Sequence, residues 1–203
     1  MIIGDPTVFA IEWEFTEAYS TSSLKGLGFY NLYIAGRRFG RRQHDATVLG
    51  FMAGWTQDRR DARGSHQAPF ADEPDAGAIA YGVLGAVYLE ECQDEVFFGG
   101  FSASDVSRLV GDRQIEWPAD AAFDDGSHVL HFDVGDQVRL IGCMNEGNRE
   151  EIVATVAEAW MNADAFYGLL DRWDQAFEQD WKAALAAQDY DPAPRYTVFQ
   201  VKD

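Results

Sequence analysis

The stretch SHVLHFDVGDQVRLIGCMNEGNREEIVATVAEAW, residues 127–160, decides the fold class. Residues 128–133 and 137–143 are rich in β-branched and aromatic side chains, and Gly135-Asp136 between them supplies turn chemistry. A second turn follows at residues 145–148. Residues 150–160 admit helix or strand. The β-branched run Ile152, Val153, Thr155 and Val156 selects strand. Three strands joined this closely predict an antiparallel meander.

Outward from this centre, residues 162–188 predict a long helix. Asn162 suits the N-cap, and Asp164 lies in the first turn, where the helix dipole favours an acid. Phe166, Leu169, Leu170, Trp173, Phe177 and Trp181 recur every three or four residues and line one stripe. Pro192 and Pro194 stop the helix, and residues 195–201 (RYTVFQV) alternate as a final strand. Towards the N-terminus, residues 7–15 alternate, with Phe9, Ile11, Trp13 and Phe15 on one face. Residues 28–35 form a second strand, which Gly36 turns. A short helix capped by Asp45 reaches Trp55. Residues 57–75, polar and punctuated by Gly64, Pro69 and Pro74, predict a surface loop or insertion. Residues 76–90 and 102–112 predict helices, and residues 95–101 an extended segment. Strands at both ends and in the middle, with helices between, predict a single α+β domain over residues 1–203.

The charge is unevenly distributed. The formal net charge is −18 over 203 residues. Residues 1–63 carry a balance of +1, and residues 64–203 a balance of −19. A surplus of one sign adds nothing to a fold, but it steers partners of the opposite sign or keeps a protein soluble. Nucleic acid and anionic membranes both demand a cationic footprint, so neither is an expected partner. The group Arg37, Arg38, Arg41, Arg42, Arg59, Arg60 and Arg63 has few interleaved aromatics. It is expected to face solvent or to pair internally with the acidic half. Two cysteines, no signal-peptide pattern and no apolar run of membrane-spanning length predict a protein of the reducing cytoplasm.

Motifs for chemistry are sparse. The sequence contains no H-E-x-x-H, C-x-x-C, G-x-S-x-G or phosphate-binding glycine pattern, so no metal and no cofactor is expected. Cys92 and Cys143 read as buried small hydrophobes. His128 and His131 are three apart in a strand and therefore point to opposite faces. His131 and Asp133 share a face, which makes them the one acid–base pair an enzyme reading could use. Turn chemistry explains Asp124-Asp125-Gly126 and Asp133 to Asp136 better than a calcium loop does, while Asp120 and the pair Asp133 and Asp136 also count among the acidic clusters of this half. The candidates for binding a basic protein are the clusters Asp72, Glu73 and Asp75; Glu90, Glu91, Asp94 and Glu95; and Asp124 with Asp125. Rim carboxylates raise association rates, and buried aromatics supply affinity.

The opening Met1-Ile2-Ile3-Gly4-Asp5-Pro6-Thr7-Val8-Phe9-Ala10-Ile11-Glu12 resembles the immunity protein 42 family of bacterial polymorphic toxin systems. The strand-turn from Phe29 to Ile34-Ala35-Gly36 is similar to that family's second strand. So is the later order of strand (138–142), strand (151–156) and helix opening (Phe166-Tyr167). Residues 57–78 are divergent and carry nothing over. The resemblance implies a cytosolic antidote, encoded beside a toxin, that neutralises it by direct stoichiometric binding. It transfers no catalytic residue. A nuclease toxin would be basic because it grips phosphate, and an acidic inhibitor could occupy its cleft. Two alternatives stand beside this reading. One is an enzyme built on His131 and Asp133; the other is a structural adaptor whose charge serves solubility.

Overall fold

In the computed structural model, residues 1–21, 23–41, 47–118 and 121–188 are described. The expected cap Asp45, the acid Asp120 and the strand at 195–201 lie outside them. Strands β1 (Ile2–Asp5), β2 (Phe9–Ala18), β3 (Gly26–Ile34) and β4 (Arg37–Phe39) form an antiparallel sheet in that order, and β5 (Thr47–Val48) pairs with β3. Register places Phe9, Ile11 and Trp13 opposite Ile34, Leu32 and Tyr30, so six fully buried side chains share one face. Gly36, at φ +83°, makes the reversal into β4 possible. Strand β1 and the strand character of the arginine-bearing 37–39 segment were not foreseen. Both are short, and pairing with a neighbour, rather than alternation, makes them strands.

Helix α1 (Leu49–Asp61) follows, so the first residues of the expected 57–75 loop are helical. The remainder is not a free surface segment either. His66, Phe70 and Ala71 are buried, and backbone N–H groups of Gly64 and His66 donate to Asp133. Helix α2 (Ala76–Tyr88) is capped by Asp75, whose Oδ1 accepts from Gly77 N at 2.8 Å. A short 3-10 turn (Glu90–Cys92) and the hairpin β6 (Val96–Phe97) and β7 (Phe101–Ser102) lead to α3 (Ala103–Asp112), which begins with a capping box of Ser102 and Asp105.

The predicted meander is present as β8 (Ser127–Val134), β9 (Gln137–Met144) and β10 (Ala157–Asn162), in the order β10-β9-β8. Its third member starts later than expected, because helix α4 (Arg149–Ala154) occupies the β-branched run. Asn148 accepts from Glu151 N, and Glu150 and Glu151 sit in the first turn. An N-cap with two favourably placed acids outweighs strand propensity over these six residues. Helix α5 (Ala163–Ala187) matches its expected span and stripe, with Asn162 as its cap.

The meander is the central layer. Val129, Val138, Leu140 and Ala159 face a core shared with the first sheet, α1 and α5. Leu130, Phe132, Ile141 and Cys143 face a second core shared with α2, α3 and α4. The sheet is apolar on both faces because both faces are covered. The architecture is α+β, as the order of elements predicted.

Candidate functional site

The sequence-selected carboxylates divide into two places. Glu73 and Asp75 lie at the start of α2. Glu95 returns beside them, so all three line one cleft of about 280 Å³ together with Tyr81, Val96 and Arg149. Val96 is 69% exposed, and Arg149 lies over the Tyr81 ring at 5.2 Å. The hydrogen bond shared with the Cys92 thiol, and then burial, push the Tyr81 hydroxyl up to about 12. Asp72 is exposed just before the cleft. Glu90, Glu91 and Asp94 are exposed at and beyond the C-terminal end of α2. Among the described residues, no cationic group lies within 4 Å of the carboxylates of Asp72, Glu90, Glu91 or Asp94. Two clusters far apart in sequence thus frame one helix.

Asp124 and Asp125 do not join them. They occupy the turn before β8, where Asp125 accepts from Ser127 N at 3.1 Å and Asp124 lies 4.0 Å from Arg41.

Of the arginine group, Arg59, Arg60 and Arg63 pair internally, and Arg42 lies outside the described residues. Arg60 reaches Asp174 at 3.0 Å and Asp171 at 3.6 Å, and Arg63 reaches Asp164. Arg59 is buried, with its Nη1 2.9 Å from His131 Nδ1 and its Nη2 donating to Glu116 O at 2.8 Å. Its guanidinium lies 4.5 Å from the Trp117 ring centre, and burial pulls its pKa down to about 10. The positive charge of α1 is therefore directed into the protein or onto α5, while the acids around α2 keep theirs at the surface.

The pair His131 and Asp133 is brought together as the shared face required, with Nε2 to Oδ1 at 3.8 Å. It is not arranged for acid–base chemistry. His131 is 0% exposed, and an arginine can only donate, so Nδ1 is the acceptor and already engaged. Burial, then the charge of Arg59, holds the imidazole well below its ordinary range. Asp133 accepts from Tyr167 Oη at 2.8 Å, Gly64 N at 2.9 Å and His66 N at 3.1 Å. These bonds hold a chain segment in place. His128 faces the opposite side, as expected, and bonds Glu116. Among the described residues, no group of three or more His, Cys, Asp or Glu side chains could hold a metal ion. Nor is any helix long and apolar enough to cross a membrane.

Sequence reasoning missed Arg139. It sits fully buried in β9, donates to Ala71 O at 2.7 Å and Glu73 O at 2.6 Å, and holds Glu158 at 2.7 Å. It pins the acidic 71–75 segment to the sheet. An arginine within an otherwise apolar strand, QVRLIGC, is the signal that could have marked it.

A family model described as immunity protein 42 matches residues 1–176. A solved structure, the CdiI from Burkholderia dolosa AUO158, is similar in fold, with a TM-score of 0.53 and 14% sequence identity, covering 88% of this chain and 99% of that one. No curated protein matches the sequence.

Proposed function

This chain belongs to the immunity protein 42 family, and we propose that it neutralises the toxin of its own system by direct stoichiometric binding, without catalysis of its own. The observation that carries this reading is the uncompensated negative charge framing α2, at Asp72, Glu90, Glu91 and Asp94, with Glu73, Asp75 and Glu95 in the adjoining cleft. Such a face attracts a basic protein. A toxin that grips a phosphate backbone is basic at its active cleft, so a nuclease is the favoured target, blocked by an acidic surface in the place of its substrate. The fold likeness to a CdiI is in keeping with this reading, in which contact-dependent inhibition is the setting.

Co-expression with the toxin encoded beside it tests the proposal. Cells should survive, and an equimolar complex should co-elute in size-exclusion chromatography. Association should slow steeply between low and physiological ionic strength, where exposed charges are screened beyond about 8–10 Å. Cell death despite abundant soluble protein, with no complex at low salt, would overturn it.

A further inference from the structure

Apart from the acidic cleft, a groove of about 490 Å³ opens between α1 and α3, with Gln114, Glu116 and Pro118 also in its lining. Trp55, Val87 and Val110 give it apolar walls, and Asp58, Ser107 and Gln114 give it polar ones. Only three aromatic side chains among the described residues are classed as exposed: Phe51, Tyr88 and Trp160. Two of them contact residues that line this groove. Phe51, 48% exposed, lies 6.2 Å from Trp55. Tyr88, 40% exposed, donates to Glu116 at 2.8 Å.

The charges on the groove's walls are sorted by direction. Arg59 turns its guanidinium inward, onto His131 and the Glu116 carbonyl. The Glu116 carboxylate is held by Tyr88 and His128. Asp58 is exposed, and among the described residues no cation lies within 4 Å of it. The groove therefore offers an aromatic wall, aliphatic surface and one carboxylate without a cation. A planar cation on an apolar stem matches that set, and arginine supplies both.

Resting on the immunity reading above, we infer that the groove between α1 and α3 receives an arginine side chain of the toxin, with Asp58 pairing its guanidinium and Trp55 packing on its plane. Glu90 and Glu91, both exposed, follow the groove-lining Val87 by three and four residues. The two features divide the work: exposed acids set the association rate, and the desolvated anchor sets the dissociation rate. Buried aromatic and arginine contacts are where interface energy concentrates.

The test is a kinetic comparison of full-length variants against the toxin. Asp58→Asn and Phe51→Ala should each speed dissociation about tenfold and leave association within about twofold. Glu90→Lys with Glu91→Lys should show the converse. Both groove substitutions are at exposed positions, and unchanged melting temperatures confirm that the variants fold. An alanine scan of the toxin's arginines should find one whose effect is lost in the Asp58→Asn background. Unchanged dissociation for both groove variants, with the native complex intact, overturns the groove and leaves the immunity reading standing. Absence of any native complex overturns the immunity reading itself, and the groove with it.

Discussion

The side chains of Arg59 and His131 meet in the interior with Nη1 2.9 Å from Nδ1, although 72 residues separate them in sequence. The contact fixes the histidine as the neutral tautomer protonated at Nε2, because an arginine has no lone pair to offer. It also explains why two titratable groups with catalytic associations are structural here. Each holds the other in place, together with His66, whose ring centre lies 4.5 Å from that of His131.

Acidification should weaken the fold through these histidines. His66 and His131 both titrate below the ordinary value of 6.5, mainly because burial disfavours the cation and then because Arg59 is near. The unfolded chain takes up protons near pH 6.5 while the folded chain does not. Stability is therefore intact above that pH and falls as pH drops from 6.5 towards the lowered folded values. The slope reaches up to about 1.4 kcal/mol per pH unit for each imidazole that stays neutral. Urea unfolding between about pH 7.5 and 5.5 should show it. His66→Gln should cost stability at neutral pH and flatten the slope; an unflattened slope would remove His66 from the account.

Asp133→Ala should destabilise by about 3 kcal/mol, because it removes the acceptor of three donors at once, the buried Tyr167 Oη and His66 N and the part-buried Gly64 N. Equilibrium unfolding measures it. A loss below about 1 kcal/mol would mean that water or a rearranged segment satisfies those donors.

Arg139→Met should release residues 71–75 more than it unfolds the domain. The substitution keeps apolar volume but leaves the carbonyls of Ala71 and Glu73 without the Arg139 donor, and leaves the carboxylate of Glu158 with only the Trp160 indole N–H. The expected loss is about 2–4 kcal/mol, with amide exchange accelerated first along that segment. Uniform acceleration across the chain would contradict a local clamp.

Gly142→Ala should cost about 2–3 kcal/mol, since a Cβ there would stand 2.2 Å from Cε2 of the fully buried Phe39. This is where the first sheet meets the meander. Phe39→Leu in the same chain should recover part of the loss. Purely additive effects would show that the two positions do not share the contact.

The amphipathic stripe of α5, the hairpin of β8 and β9, and the cap at Asn162 all followed from local pattern, because they satisfy their own backbone groups within a few residues. The helix at 149–154 did not, since two local signals competed there and the cap prevailed over β-branching. For the site, the acidic positions were legible in composition, and the shared face of His131 and Asp133 in strand period. That Glu73, Asp75 and Glu95 line one cleft while Asp124 and Asp125 lie apart was not.

The sequence by itself determined the β8–β9 hairpin and the long helix α5, which of their faces would be apolar, and that the acid would be concentrated after residue 63. Only the tertiary structure decided that the meander buries both faces in separate cores, that Arg59 and Arg139 are interior, and that Asp58 is left facing a groove. The physical reason is that periodicity records which side of an element avoids water but not what covers it. A charge is buried or exposed according to partners that arrive from distant segments.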